Sequence, residues 1–522
     1  MRGDLRRVAP VALAAVLAAV YVITSPPSLD LAAHLLRAKL FADEGFGIWN
    51  NWWYGGHTVL LYSVLFPAVA AGIGPQVAAA IAAVLAALLF DVMVRERWGE
   101  RAWLGSLWFA AGTATDLYTG RLTFAFGLAP ALAAALAIQR RRPGWACALA
   151  LLSALCSPVA ALFAALAGAA YGTAAVLRRR RRREMLVGVA VALSAVVPVG
   201  ALALVFPEGG TEPFAFSVLW PVLLMALGAM VLIDRREHTL RAGVVLYTVG
   251  CVISFAVATA IGSNAARLGE LLAGPLAALL LWPRRRWLLL ALVAPLLYVQ
   301  WHAPVRDLST ALGDPSGSST YYRPLTSFLA RQPGPPFRVE IPFTQFHWEA
   351  YAVAPRFALA RGWERQLDIE YNHLFYGGQL NAATYYAWLR RLAVRFVAVA
   401  DSGLDYSAVR EAALIDSGLS YLKLVDRTRH WRVYRVLGAT PLAQGAATAR
   451  AVGPNWLTLQ AAGPGAVYLR VHFTPYWAIV KGSGCVAPDG QFTRLALRRG
   501  GPVKLAIRFS LGRIGAHSPR CS

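Results

Sequence analysis

Residues 25–57 read SPPSLDLAAHLLRAKLFADEGFGIWNNWWYGGH, and the organisation of the chain can be worked out from this segment outward. The segment follows a first apolar run, residues 8–24, and precedes a second apolar region. An apolar run of that length behind three arginines, with no small-residue cleavage site, indicates an uncleaved first membrane span. The segment would then be a polar, aromatic loop at the outer face of a bilayer.

The composition supports a membrane protein. Of the 522 residues, 57% are hydrophobic and only 15% are charged, with a formal net charge of +24. Soluble domains carry about a quarter of charged residues, so this balance indicates a polytopic membrane protein with a soluble part attached. The arginines fall in short clusters between apolar runs, as the positive-inside rule describes. That placement argues against a nucleic-acid partner, which the net charge alone would favour.

The apolar runs predict about eleven spans and their orientation. The segment 58–73 is short and interrupted by Pro and Gly, so we expect a helix lying in or dipping into the outer face. Every second loop is rich in arginine, including the run 178–183, which places the N-terminus in the cytoplasm and everything after His302 outside a plasma membrane. The predicted spans are 8–24, 76–94, 102–115, 122–138, a hairpin of two spans over 143–177 broken at Ser157-Pro158, 185–206, 216–233, 242–262, 268–282 and 287–301.

The C-terminal part has a different pattern. The segments RVEIPF, FVAVAD and WRVYRV predict strands, and TYYAWLRRLAV between them predicts a helix, which together indicate a small α/β unit. From about residue 450 the apolar segments all have strand length, which is typical of a β-sandwich. We therefore divide the chain into a transmembrane domain (1–301), an extracytoplasmic α/β domain (302–440) and a β-sandwich (441–522). Cys485 and Cys521 lie in the outer part and are expected to form a disulfide.

Three side chains are candidates for catalysis. Asp30 follows the first span, where a carboxylate could act as general base on the hydroxyl of a substrate presented at the membrane surface. The alternative is that Asp30 caps the N-terminus of the following helix. His34 lies one turn further on the same face. Asp116, in the loop TDLYTGR, faces the same compartment as Asp30.

A phosphate site is predicted from two lone arginines. Arg121 and Arg267 lie at span ends on the outer face, against the charge bias, and a guanidinium fork matches phosphate geometry. The alternative for Arg121 is a side chain that snorkels to the bilayer surface. Asn264 lies one turn before Arg267 and joins the candidate site. Glu270, inside the apolar stretch, is a candidate partner for Arg267.

The segment IWNNWWYGG has two interpretations that the sequence leaves open. Its aromatic rings could stack on sugars, or they could anchor the chain at the level of the lipid headgroups. For sugar or acceptor binding the candidate residues are Trp49, Asn50, Trp52, Trp53 and Tyr54.

Metal binding also stays open. Glu208 and Glu212, in the outer loop PEGGTEPF, could bind a cation or be a solvated pair. No Cys/His spacing typical of a metal site occurs. We predict no certain cofactor, with a divalent metal as a possibility.

The order of these features resembles the polytopic glycosyltransferases of the GT-C fold, which use polyprenyl-phosphate sugars. The matching features are the cytoplasmic N-terminus and first span, Asp30, the helical loop around His34, the Asp116 loop and a soluble outer C-terminal domain. The resemblance covers residues 1–300. Within that fold the chain is similar to actinobacterial proteins of the arabinofuranosyltransferase-like and YfhO-like kind. A single Asp116 stands where an acidic pair is expected, which leaves metal dependence open.

The resemblance implies an inverting enzyme. It would transfer a sugar from a polyprenyl-phosphate donor to a cell-wall or lipid-linked glycan acceptor, with Asp30 as base and Arg121 or Arg267 on the donor phosphate. The alternative is a non-catalytic membrane protein that transports or scaffolds lipid-linked sugars. Transporters usually contain paired repeats, and none is visible in this sequence.

Overall fold

The computed structural model describes residues 2–178, 182–282 and 284–522, so part of the predicted arginine run 178–183 lies outside the described residues. The chain forms two compact units. The first, here called the helical unit, comprises Met1–His34, Leu61–Leu204 and Thr211–Leu312. The second, the sheet unit, comprises Leu35–Leu60, Val205–Gly210 and Gly313–Ser522. The predicted three-part division at 301 and 440 stays a prediction.

The first thirteen helices follow the predicted apolar runs in order. In the described residues, eight segments are long and apolar enough to cross a membrane, and Pro143–Cys156 and Phe216–Leu232 are shorter apolar helices. The helices are α1 (Arg2–Thr24), α2 (Leu31–Glu44), α3 (Phe66–Ile73), α4 (Pro75–Trp98), α5 (Trp103–Tyr118), α6 (Leu122–Gln139), α7 (Pro143–Cys156), α8 (Pro158–Leu177), α9 (Arg182–Val205), α10 (Phe216–Leu232), α11 (His238–Ala256), α12 (Arg267–Leu281) and α13 (Arg286–Ala311). The chain is therefore a multi-pass membrane protein.

Two helices end more than five residues from the predicted position. Helix α11 ends at Ala256, six residues before the predicted end, where Val257 takes an extended conformation; a 3-10 helix follows over Gly262–Ala266. The Ser254 hydroxyl donates to the Gly262 carbonyl at 3.1 Å and ties this turn to α11. Helix α13 continues to Ala311 and not to about 301, with Pro304 accommodated inside it.

The predicted break at Ser157-Pro158 separates α7 from α8 and holds the segment before α3. Pro158 carries no N–H, so the last carbonyls of α7 need other donors. The Ser63 hydroxyl donates to the Cys156 carbonyl at 2.7 Å. The N–H groups of Val64 and Leu65 both donate to the Leu155 carbonyl at 3.0 Å. The helix break thus fixes the segment that leads into the short helix α3. That α3 lies in or dips into the outer face stays a prediction.

Besides most of α2, the sheet unit contains five short helices and three larger sheets. Its helices are α14 (Arg323–Ala330), α15 (Glu349–Ala352), α16 (Arg365–Tyr371), α17 (Ala382–Arg391) and α18 (Val409–Asp416). Its strands are β1 (Trp49–Asn50), β2 (His57–Thr58), β3 (Arg338–Glu340), β4 (Val394–Ala400), β5 (Leu422–Arg427), β6 (Trp431–Val436), β7 (Ala443–Gly445), β8 (Ala447–Val452), β9 (Trp456–Ala461), β10 (Gly465–His472), β11 (Trp477–Lys481), β12 (Gly484–Asp489), β13 (Phe492–Leu497), β14 (Gly501–Ile507) and β15 (Arg520–Cys521).

The sheets match the predicted classes. One sheet has the order β3-β4-β6-β5, with β3 and β4 parallel and the other neighbours antiparallel. The sandwich has the sheets β15-β12-β13-β10-β7 and β11-β14-β9-β8. Alternate residues of β10, Val467, Leu469 and Val471, are fully buried in its core. A disulfide joins Cys485 to Cys521, which confirms the predicted pair and secures the terminal strand to β12.

Candidate functional site

A glycine-lined face of α5 directs Asp116 toward α12. A Cβ on Gly105 would lie 2.6 Å from Leu279 Cγ, and one on Gly112 would lie 3.3 Å from Leu271 Cδ1. Only glycine permits this close approach of the two helices. Asp116 follows Gly112 by one turn and therefore shares its face. Helix periodicity thus brings the end of α5 to the start of α12.

The start of α12 is held by a tyrosine from α11. The Tyr247 hydroxyl donates to the Ala266 carbonyl at 3.1 Å and accepts from the Gly269 N–H at 3.0 Å. It therefore satisfies one of the N–H groups that a helix N-terminus leaves without an intrahelical partner, and it also bonds the carbonyl of the N-cap residue. Arg267 and Glu270 lie in this fixed first turn.

The ionic partners differ from those expected. Arg121 Nη1 donates to Glu270 Oε2 at 2.9 Å. The Arg267 guanidinium lies over the Phe124 ring at 5.5 Å. The structure therefore assigns Glu270 to Arg121 and not to Arg267, because Arg121 lies at the N-cap of α6 and faces the first turn of α12. Sequence spacing along α12 alone could not reveal this partner from another helix.

Five charged side chains of the helical unit act on one another, and we call them the charge cluster. The positive charge of Arg121 interacts with the carboxylates of Glu270, Asp116 and Asp30. The charge of Arg267 interacts with Arg121, Asp116 and Asp30. The cluster therefore brings together the turn before α2, the end of α5, and the starts of α6 and α12.

Two polar atoms of the charge cluster have no hydrogen-bond partner in the described part of the chain. They are Asp116 Oδ2, on a side chain only 3% exposed, and Arg267 Nε. Buried polar atoms are nearly always bonded, so these two atoms can take a partner from outside the protein, either water or a ligand.

His34 positions the turn that carries the charge cluster. A carbonyl only accepts, so His34 Nε2 donates to the Gly120 carbonyl, at 2.9 Å. Gly120 has φ +79°, and a Cβ there would lie 2.6 Å from Ser28 Oγ, so the turn requires glycine. His34 thereby fixes the loop between Asp116 and Arg121. The predicted catalytic role of His34 stays a prediction.

The position of Asp30 is compatible both with a role as general base and with a role as the N-cap of α2. Its carbonyl accepts from the His34 N–H at 3.2 Å, which puts Asp30 at the N-cap position of α2. Its carboxylate also acts on both arginines of the charge cluster. The base hypothesis and the capping hypothesis therefore both stay open.

Asn264 and Tyr62 lie around the start of α12. Asn264 belongs to the 3-10 helix Gly262–Ala266 that leads into α12, and its contribution to phosphate binding stays a prediction. Tyr62, which the sequence analysis did not select, interacts electrostatically with Arg267. Its ring lies 5.7 Å from that of His34. A tyrosine in an apolar segment gives no sequence signal of this role.

The aromatic segment is buried inside the sheet unit. The Trp49 ring contacts Trp477 of the sandwich core at 6.0 Å. The Trp53 indole N–H donates to the Ala350 carbonyl at 3.1 Å, and the Tyr54 hydroxyl donates to the Glu364 carbonyl at 3.2 Å. This environment favours a structural role, and sugar binding stays a prediction for the whole set, all of whose members are buried: Trp49, Asn50, Trp52, Trp53 and Tyr54.

The loop between α9 and α10 carries the two acidic residues that the sequence suggested as metal ligands, and these residues belong to different units. Glu208 belongs to the sheet unit and Glu212 to the helical unit. Glu208 Oε2 accepts from the Thr58 N–H at 2.6 Å and from the Thr58 hydroxyl, and Glu208 Oε1 accepts from Tyr371. Burial raises the pKa of Glu208 to about 7. The Glu212 N–H donates to the Thr259 carbonyl at 2.9 Å.

The side chains present do not form a metal-binding set. Within the described ranges, no three His, Cys, Asp or Glu side chains group as metal ligands. In the charge cluster, the carboxylates of Asp30 and Asp116 share their surroundings with two guanidinium groups, which disfavour a divalent cation. We therefore assign no step to a metal.

Comparison with known proteins identifies the fold. The apo oligosaccharyltransferase of Archaeoglobus fulgidus is similar in structure, with a TM-score of 0.51 and 12% sequence identity over 97% of this chain and 94% of that chain. ArnT from Cupriavidus metallidurans bound to undecaprenyl phosphate matches with a TM-score of 0.40 and 15% identity, over 83% of this chain and 99% of that chain. No protein-family model and no curated protein matches the sequence. The first likeness confirms the GT-C-like fold, and the subfamily stays a prediction.

Proposed function

We propose that this protein is a membrane glycosyltransferase that uses a lipid-linked sugar as donor. The observation that carries the proposal is the charge cluster, in which three carboxylates and two arginines from separate segments interact. The fold supports it, since the similar archaeal protein is named as an oligosaccharyltransferase. The donor would be a polyprenyl-phosphate sugar and the acceptor an extracytoplasmic cell-wall or lipid-linked glycan.

In the proposed reaction a carboxylate acts as the base and the arginines stabilise the leaving phosphate. Asp30 takes the proton from an acceptor hydroxyl, whose oxygen then attacks the anomeric carbon of the donor sugar with inversion. The bond from that carbon to the phosphate oxygen breaks. Arg267 and Arg121 stabilise the negative charge on the leaving phosphate. A phosphate leaves without a general acid, so this scheme needs only one acid–base group.

The orientation is part of the proposal. Arginine-rich loops alternate with loops poor in Lys and Arg along the helical unit. This alternation supports a cytoplasmic N-terminus and an extracytoplasmic residue range beyond α13. The charge cluster, which includes Asp30 in the first loop, would then face the side of the membrane where glycan acceptors are found.

The test is donor consumption by the purified protein in lipid nanodiscs. Mass spectrometry would follow the conversion of a polyprenyl-phosphate sugar to free polyprenyl phosphate. We expect Arg267→Ala to raise the KM for donor about tenfold or more, since a charge-assisted contact to phosphate is lost. Arg140→Ala removes the same charge from an exposed ion pair with Glu96 and serves as the matched control.

The alternative is a non-catalytic carrier or scaffold of lipid-linked sugars. A carrier would bind the donor, and Arg267→Ala would weaken that binding, but the sugar–phosphate bond would stay intact over many binding cycles. Bound, unconsumed donor in the presence of a range of glycan acceptors would therefore favour the carrier and contradict the enzyme.

A further inference from the structure

Four arginines of the sheet unit gather without acidic partners at the end of α17. They are Arg338 on β3, Arg390 and Arg391 at the end of α17, and Arg470 on β10. In the described part of the chain none of them forms an ion pair with a carboxylate. The neighbouring Arg361, by contrast, pairs with Asp368 at 2.6 Å. We call these four side chains the arginine site.

Backbone contacts hold the arginine site together. Arg338 Nη1 donates to the carbonyl of Leu392, the residue after Arg391, at 2.8 Å. The Thr440 hydroxyl donates to the Arg390 carbonyl. The following residue, Pro441, accepts from Arg470 Nη1 at 2.9 Å. Residues 440 and 441 therefore contact both the end of α17 and the Arg470 side chain. The charge of Arg470 acts on those of Arg338 and Arg390.

Helix capping does not balance this charge. The C-terminus of a helix carries about half a negative charge, against four positive guanidinium groups. Arg338 is only 2% exposed, and its Nε has no partner among the described residues. Burial and the charge of Arg470 lower the pKa of Arg338 to about 9. Burial also lowers the pKa of His472 to about 3, with Arg338 and Arg391 acting in the same direction.

Aromatic rings border the arginine site. The Arg470 guanidinium lies over the Tyr468 ring at 5.1 Å, and that of Arg390 lies over Tyr386 at 5.6 Å. Both tyrosines are partly exposed. Asp489 interacts with Tyr468 but forms no ion pair with the described arginines. Ring faces of this kind stack on sugars, and guanidinium forks bind carboxylates and phosphates.

We propose that the arginine site binds the carboxylate or phosphate group of an acidic glycan. Arg390, Arg391 and Arg470 contact the anionic group, and buried Arg338 adds positive potential from behind. A bilayer surface is a poorer match, since membrane-surface sites combine basic residues with an inserted apolar face, whereas the rings beside Arg390 and Arg470 are those of tyrosines. The site is separate from the charge cluster and does not depend on sugar transfer.

The test measures glycan binding to the full-length protein in nanodiscs of zwitterionic lipid. The probes are a galacturonate oligosaccharide and a mannose phosphate oligosaccharide, with a neutral galactose oligosaccharide of equal length as reference. We expect at least one acidic probe to bind saturably and the neutral probe not to bind. Replacing Arg390 and Arg391 together by Gln should weaken binding about tenfold or more, since charge-assisted hydrogen bonds are lost.

Two further double variants make the result specific. Arg498→Gln with Arg499→Gln removes the same charge from an exposed pair after β13 and should leave the Kd within about twofold. Lysine in place of both Arg390 and Arg391 keeps the charge but loses the fork, so an intermediate loss is expected, and this variant serves if the Gln variant fails to fold. Equal weakening by both Gln variants, or no saturable binding of either acidic probe, would overturn the proposal. Loss of binding to anionic lipid vesicles alone would assign the site to a bilayer and overturn it also.

Discussion

Replacing Gln300 by Leu should loosen α12, the helix that carries Arg267. Pro275 lies inside α12 and has no N–H, so the carbonyl of Leu271, four residues earlier, lacks its helical donor. Gln300 of α13 supplies one, since its Nε2 donates to that carbonyl at 3.3 Å. Its Oε1 accepts from the Trp108 indole N–H of α5 at 3.0 Å. One amide thus connects α5, α12 and α13.

The magnitude follows from the groups left without partners. Leu at position 300 fills a similar volume at a 4% exposed position but leaves one carbonyl and one indole N–H unpaired. Unpaired buried groups cost about 1–3 kcal/mol each, and hydrogen bonds between membrane helices are worth about 0.6–1.7 kcal/mol. We therefore expect a loss of about 2 kcal/mol in the free energy of unfolding.

The assay is equilibrium unfolding in mixed micelles, arranged as a double-mutant cycle. Gln300→Leu is combined with Trp108→Phe, which removes the indole donor, and a coupling energy of about 1 kcal/mol is expected. Tyr298→Phe deletes a hydroxyl from an exposed side chain of the same helix and should change stability by less than about 0.5 kcal/mol. Unchanged stability in Gln300→Leu, or zero coupling to Trp108, would refute this reasoning.

Three further predictions concern other parts of the molecule. Reducing the Cys485–Cys521 disulfide, whose cysteines are 36 residues apart, should destabilise the sheet unit by up to about 4 kcal/mol, measured by unfolding with and without reductant. The pKa of Glu208 is raised from an ordinary 4.5 to about 7, so the folded state binds the proton more tightly than the unfolded state does. The protonated carboxyl therefore contributes stability that is complete below about pH 4.5 and is lost as pH rises through about 7. Glu208→Gln should flatten the pH profile of Tm over that range. A topology reporter fused after Trp301 should be active only outside the cytoplasm, and cytoplasmic activity would contradict the proposed orientation.

Much of the helical unit could be predicted because the thickness of the hydrocarbon core fixes the length of the apolar runs. The run 122–138 predicts α6, found as Leu122–Gln139, and the break at Ser157-Pro158 separates α7 from α8. Strand-length apolar segments also predict the sandwich correctly. The strands β7, β8, β12 and β15 were not predicted. In β12, Gly484–Asp489, Gly and Pro hide the strand pattern, and the disulfide and the pairing with β13 hold the strand in place.

The candidate site was predictable only in part. The charge bias singles out Arg121 and Arg267, but the partner of Glu270 depends on how the turn before α6 meets the first turn of α12, which no local pattern encodes. The spacing Gly105, Gly112, Asp116 could have shown that Asp116 lies on the face that packs against α12. The aromatic segment was ambiguous because a tryptophan side chain suits a bilayer surface, a sugar site and a protein core equally.

The most direct measurement of the central claim is the transfer rate of Asp30→Asn. Asn keeps the size and most hydrogen bonds of Asp30 but cannot take the proton, so the rate should fall by about two orders of magnitude or more, with donor affinity and membrane insertion unchanged. Asp43→Asn makes the same replacement at an exposed ion pair with Lys39 on α2 and should leave the rate unchanged. A near-normal transfer rate in Asp30→Asn would contradict the account and leave Asp30 as the N-cap of α2.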